Sequence, residues 1–162
     1  MRRELMVAAA LTACVVGVAA CGGGGGSAAT GATKSAPASK PAAGVTVKVS
    51  TTKLGRILTD GSGRTLYLFE KDKGSRSTCS GACASIWPPL TAATGGAGHG
   101  VSSAKLGSIK RPDGRTEVTY AGHPLYTYAG DAKPGDTRGQ GLDQFGAEWY
   151  VLAPSGHKID KD

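Results

Sequence analysis

Two stretches decide how this chain is read: Tyr67-Leu68-Phe69-Glu70-Lys71-Asp72 and Tyr126-Thr127-Tyr128-Ala129-Gly130-Asp131. Each places aromatics at i and i+2 and a carboxylate three residues later. In an extended strand, positions i and i+2 share a face. Tyr67 and Phe69 should therefore point one way, with Leu66 and Leu68 pointing the other. The Asp falls in the following turn, where its carboxylate can accept backbone N–H groups.

Working outward, other fragments recur. Leu54-Gly55-Arg56-Ile57 resembles Leu106-Gly107-Ser108-Ile109, Gly63-Arg64-Thr65 resembles Gly114-Arg115-Thr116, and Trp87 has a counterpart in Trp149. Aligned this way, the second copy carries an insertion that includes Glu117 to His123. Two copies indicate a duplicated supersecondary unit rather than a long solenoid. The expected repeats run over 53–90 and 105–153, inside a folded domain spanning 45–158.

The local pattern is strand and turn. Val45, Val47 and Val49 alternate with Thr46, Lys48 and Ser50, as in a half-buried strand. Asp60-Gly61-Ser62-Gly63 and Pro112-Asp113-Gly114 are turn signals. Val118–Tyr120 and Leu125–Tyr128, joined by Ala121-Gly122-His123-Pro124, read as a hairpin, and Trp149–Leu152 reads as a strand. Beyond Cys21, helical periodicity extends at most to one turn at Cys83–Trp87. The expected fold class is mostly β: a single domain of two similar halves.

The amino-terminal end reads differently. Arg2 and Arg3 precede an apolar stretch, Leu5–Ala20, that is short for a spanning helix and suits a signal sequence. It ends in Val18-Ala19-Ala20-Cys21, which resembles a bacterial lipobox. Residues 1–20 are thus expected to be removed, along with Cys14. The Cys21 thiol would carry the lipid, and two or more acyl chains there would anchor the protein stably. Residues 21–44, starting with a run of five glycines, are rich in Gly, Ala, Ser, Lys and Pro. Such a composition is expected to act as a flexible tether with a reach of roughly 25–30 Å. The expected location is the outer face of the bacterial cell membrane.

The net charge is +7. That balance allows attraction to anionic lipid or cell-wall polymer. No helix-turn-helix pattern and no aromatic-interleaved basic patch points to nucleic acid. The chain has no asparagine, so Asn-linked glycosylation is excluded.

The two motifs, with Cys79-x-x-x-Cys83 and Trp87-Pro88-Pro89 between them, resemble a family of bacterial predicted lipoproteins. That family is named for a tandem Y-x-(F/W/Y)-x-x-D motif and is also called a secreted repeat of unknown function. The resemblance covers nearly all of residues 53–156. It implies export and a duplicated fold, and no activity.

Two readings of Tyr67, Phe69, Asp72, Tyr126, Tyr128 and Asp131 stand at this point. They form a core ladder closed by Asp turns, or a ligand face where paired aromatics stack on a sugar, quinone or haem. Asp72 and Asp131 as a hydrolytic pair is a more distant reading, since such carboxylates must lie roughly 5–10 Å apart. Cys79 and Cys83, as an even pair in an exported domain, suggest a disulfide. A redox pair is the alternative, although redox motifs usually have two intervening residues. His99, His123 and His157 lack the spacing of a metal module. The sequence thus points to a non-enzymatic binding or structural module with no cofactor and no metal. The alternative is an extracytoplasmic redox accessory using Cys79 and Cys83 or a bound cofactor.

Overall fold

The computed structural model describes residues 44–160. The expected signal sequence, Cys21 and nearly all of the expected tether lie outside the described residues.

Among the described residues, nine strands form three small sheets. Strands β1 (Val45–Thr52) and β2 (Gly55–Asp60) make an antiparallel hairpin, and β4 (Gly95–Ala97) runs parallel to β1. Strands β5 (Leu106–Lys110) and β6 (Thr116–Tyr120) make a second hairpin, extended by the short β7 (His123–Pro124). Strand β3 (Tyr67–Phe69) pairs with β9 (Ala147–Val151), which also pairs with β8 (Leu142–Gln144). Among the described residues, the helical content is a five-residue helix, α1 (Ala82–Ile86), and one 3-10 turn at Ser103–Lys105.

The halves meet at their motifs. Tyr67 and Tyr126 face each other in an antiparallel bridge. The Tyr67 N–H donates to the Tyr126 carbonyl at 2.9 Å, and the Tyr126 N–H returns the bond at 3.0 Å. Equivalent residues pairing in this way place a pseudo-two-fold axis between them.

The backbone ladder extends that symmetry and corrects the repeat alignment. Leu66 N–H donates to Leu58 O, and Leu125 N–H donates to Val118 O. Leu58 N–H reaches Leu152 O, just as Val118 N–H reaches Leu90 O. Hence β2 corresponds to β6, and the β1–β2 hairpin to the β5–β6 hairpin. Glu117 to His123 is not an insertion, because it contains the counterpart of β2. The likeness of the Gly63 and Gly114 turns is local chemistry at non-equivalent places. Each needs a glycine with positive φ, 87° and 79° respectively, and each is closed by an Asp carboxylate accepting an Arg N–H.

The alternation expected of the motif strands holds. Leu66, Leu68 and Leu125 pack into one buried cluster with Val47, Leu58, Leu90, Val118, Tyr120 and Leu152. Tyr67, Phe69 and Tyr126 pack into the other, with Ile57, Trp87, Trp149, Cys79 and Cys83. The motif strands are thus buried on both faces, which is why their sequence is apolar on both.

Candidate functional site

The Asp carboxylates close turns, as the sequence suggests, but they also cross the axis. Asp72 Oδ1 accepts the Thr78 N–H and hydroxyl, both at 2.7 Å. Its Oδ2 accepts the Tyr126 hydroxyl of the other repeat at 2.6 Å. Asp131 mirrors this: Oδ1 accepts the Arg138 N–H at 2.9 Å, and Oδ2 accepts the Tyr67 hydroxyl at 2.7 Å. Each tyrosine is therefore tied to the carboxylate of the opposite repeat. Burial, helped by Asp131, pushes the Tyr67 phenol well above its usual range. Burial and nearby Glu117 do the same to Tyr126. Both phenols stay protonated and act as donors. Burial also raises the Asp131 carboxyl.

Beside these bonds lies a stack of four rings. Phe69 stacks on Trp149 at 4.0 Å, Trp149 on Trp87 at 4.0 Å, and Trp87 on Tyr128 at 4.3 Å. The order reads the same from either end when the repeats are exchanged. Tyr67 meets Trp87 edge-on at 5.3 Å, and Tyr126 meets Trp149 edge-on at 5.1 Å. Both indole N–H groups end on one residue: Trp87 on Gln144 Oε1 and Trp149 on the Gln144 carbonyl.

The ligand-face reading is corrected by this packing. Tyr67 and Tyr126 are fully buried, Phe69 is 2% exposed and Asp72 is 9% exposed. Only Tyr128 and Asp131 are half-buried. Phe69 and Tyr128 each stack on a tryptophan of the other repeat, and Tyr67 and Tyr126 are buried edge-on against Trp87 and Trp149, so neither tyrosine offers a face to a sugar, quinone or haem. Every oxygen of Asp72 and Asp131 has a donor, and the two carboxylates serve different tyrosines.

The expected disulfide is present: Cys79 and Cys83 are bonded, with a Cα–Cα distance of 5.3 Å. Both are buried, whereas thiol exchange needs an accessible sulfur. The bond ties α1 to the segment before it and holds Trp87 at the helix end.

Sequence reasoning missed a buried ion pair. Arg111 and Glu117 meet at 2.6 Å, with side chains 1% and 0% exposed. Arg111 also donates to the Ser77 hydroxyl and to the Cys79 carbonyl. Ser77 in turn bonds the Tyr126 hydroxyl at 2.7 Å, joining this pair to the crossed site. Glu117 Oε1 has no donor. Burial pushes the Glu117 carboxyl up to about 7 despite Arg111. Glu117 went unnoticed because both faces of β6 are interior, so alternation marks no inward polar position. Arg111 was hidden inside a turn signal.

Outside the core, a cleft of about 450 Å³ is lined by residues including Glu70, Asp72, His123, His157 and Lys158. Lys158 is held by Glu70 at 2.7 Å and Asp160 at 3.2 Å. Burial, then the neighbouring His157, lowers the His123 imidazole. No group of three or more metal-ligating side chains comes together among the described residues.

The fold and its crossed motifs define an internally duplicated β protein whose halves are fused about a pseudo-two-fold axis. The chain belongs to a family described as a secreted repeat of unknown function, whose model matches it twice, over residues 48–91 and 107–153. The first match begins within β1, five residues before the expected repeat start, as the hydrogen-bond equivalences require. No curated protein and no solved structure matches the chain. Among the described residues, no helix is long and apolar enough to cross a membrane.

Proposed function

We propose that this protein is a surface-displayed lipoprotein whose β domain is a rigid, non-enzymatic binding or structural module at the cell envelope. The observation that carries this reading is the crossed pairing of Tyr67 with Asp131 and of Tyr126 with Asp72. It commits the most chemistry-bearing residues of both motifs to joining the repeats. Function then rests on the outer surface and on where the domain is held. The Val18-Ala19-Ala20-Cys21 sequence and the Gly-, Ala- and Ser-rich composition that follows it support a lipid attached at Cys21.

Two measurements test this. Mass spectrometry of the membrane-extracted protein should find Cys21 as the amino terminus carrying a diacylglyceryl group, and Cys21→Ser should release the protein from the membrane fraction. An unmodified Cys21 with an uncut signal would overturn the anchoring. Separately, Tyr67→Ala and Tyr126→Ala should unfold the domain. If either variant keeps the native melting transition while losing a bound ligand, the motif is a ligand face after all.

A further inference from the structure

The pseudo-symmetry produces two equivalent clefts with different charge. The loop after each motif closes on its Asp: Asp72 accepts the Thr78 N–H, and Asp131 accepts the Arg138 N–H. Residues 75–78 and 135–138 are therefore counterparts. Each loop faces the tip of a hairpin, at Lys110–Pro112 in β5–β6 and at Lys53 in β1–β2. The first cleft, about 360 Å³, is lined by Ser75, Arg76, Ser77, Lys110, Arg111 and Pro112. The second, about 340 Å³, is lined by Lys53, Gly135, Asp136, Thr137 and Arg138.

The first cleft has no carboxylate in its lining. Arg111 is fixed within it by Glu117, Ser77 and the Cys79 carbonyl, and by Asp113 at 3.3 Å. Its own charge is thus met from behind. Arg76 and Lys110 are exposed and make no ion pair among the described residues, so they supply a net positive field. In the second cleft, Asp136 stands where the first has Arg76. Its carboxylate takes the Ala132 and Lys133 N–H groups and lies 3.6 Å from Arg138. That cleft is partly neutralised from within, Asp136 standing against Arg138 while Lys53 keeps its charge.

We propose that the cleft between Ser75–Ser77 and Lys110–Pro112 binds a phosphate group carried on an extended anionic polymer. The exposed Arg76 guanidinium and Lys110 ammonium, with the exposed Ser75 hydroxyl beside the committed Ser77, match the several acceptor oxygens of phosphate. The recess suits one group entering between two walls, more than a flat lipid surface. This inference rests on the reading of the domain as an envelope-binding module, though lipid attachment at Cys21 is measured separately, so either can fail alone.

The test is calorimetric titration of the mature chain, kept in non-ionic detergent, with short-chain inorganic polyphosphate. Arg76→Ala with Lys110→Ala should weaken binding at least about tenfold, the loss expected for charge-assisted bonds. Lys53→Ala with Arg138→Ala removes the same number of cations and should leave affinity within about twofold of wild type. An unchanged melting temperature in both variants shows the fold is intact. Equal weakening in the two double variants would mean diffuse charge attraction and overturn the site. So would absence of polyphosphate binding. Tighter binding to phosphatidylglycerol vesicles than to polyphosphate would overturn the polymer and make this a membrane-facing surface.

Discussion

The two repeats fold alike and fill their interiors differently. Ile57 of the first repeat lies in the aromatic cluster, while its counterpart by strand position, Glu117, is ion-paired to Arg111. Cys79 of the first repeat is part of a buried disulfide. Its counterpart in the second repeat, Gly139, leaves no room for a side chain, since a Cβ there would lie 2.6 Å from the Trp87 ring. The axis itself is kept strictly: the Tyr–Asp bonds, the Tyr67–Tyr126 bridge and the ring stack all appear on both sides. Symmetry is thus held where the repeats touch each other and relaxed where each packs on its own hairpin. A contact across the axis constrains both copies at once, whereas a peripheral position constrains only one.

The sharpest way to break the shared centre is Trp87→Ala or Trp149→Ala. Either should cost about 3–5 kcal/mol, read as a fall in the urea midpoint. Similar losses from both would show that the stack is a joint element. A large loss from only one would place stability in a single repeat.

The next test erases the asymmetry. Arg111→Met alone should cost about 3–5 kcal/mol, because it strands the buried Glu117 carboxylate. Adding Glu117→Ile gives the second repeat the apolar interior of the first. The double variant should be as stable as wild type or more so. If it is as weak as the single variant, the ion pair holds the hairpin in a way the first repeat does not need.

Glu117 also sets a pH dependence for one repeat alone. Its carboxyl lies at about 7 in the folded state, against 4.5 ordinarily. Between those values the folded chain keeps a proton that the unfolded chain releases, so stability falls as pH rises through this window. The contribution is complete below about 4.5, absent above about 7, and at most about 3 kcal/mol. Lowering of His123 acts in the opposite sense, favouring the fold above its ordinary value and fading as pH falls. The clean comparison is therefore wild type against Glu117→Gln by thermal melts from pH 4.5 to 8. The variant should lack the falling component.

Reducing the Cys79–Cys83 bond should cost about 2 kcal/mol, a short-loop value, and should loosen α1 first by hydrogen exchange. The smallest effects are at the crossed hydroxyls. Tyr126→Phe and Tyr67→Phe should each cost about 1–2 kcal/mol. Tyr126→Phe should cost more, since Asp72 is more deeply buried than Asp131 and would lose a donor in a drier place. Equal costs would mean that the surroundings of the two carboxylates do not differ in effect.

Much of this was readable in the chain. Alternating Tyr67-Leu68-Phe69 gave both the strand and its two faces, since strand geometry alone sets that pattern. Asp72 and Asp131 as turn closers followed from local chemistry, as did the disulfide from an even pair with a short loop. The repeat register did not follow, because Gly63-Arg64 and Gly114-Arg115 are alike for reasons of turn conformation that apply wherever such a turn occurs. β4 and β8 were invisible: Gly95–Ala97 and Leu142–Gln144 are three residues each and become strands by pairing with β1 and β9. Gln144, which receives both indoles, carries no sequence signal at all.

The sequence by itself determined that this is a duplicated, mostly β chain, because repeated motifs and strand alternation are written in neighbouring residues. Only the tertiary structure decided what the motifs are for. The tyrosine of one copy and the aspartate of the other are 54 and 64 residues apart, and no local rule says which carboxylate a buried phenol will reach. The same holds for the two clefts. Their charge difference is a contrast between Arg76 and Asp136, and it acquires meaning only when the axis places those residues in equivalent walls.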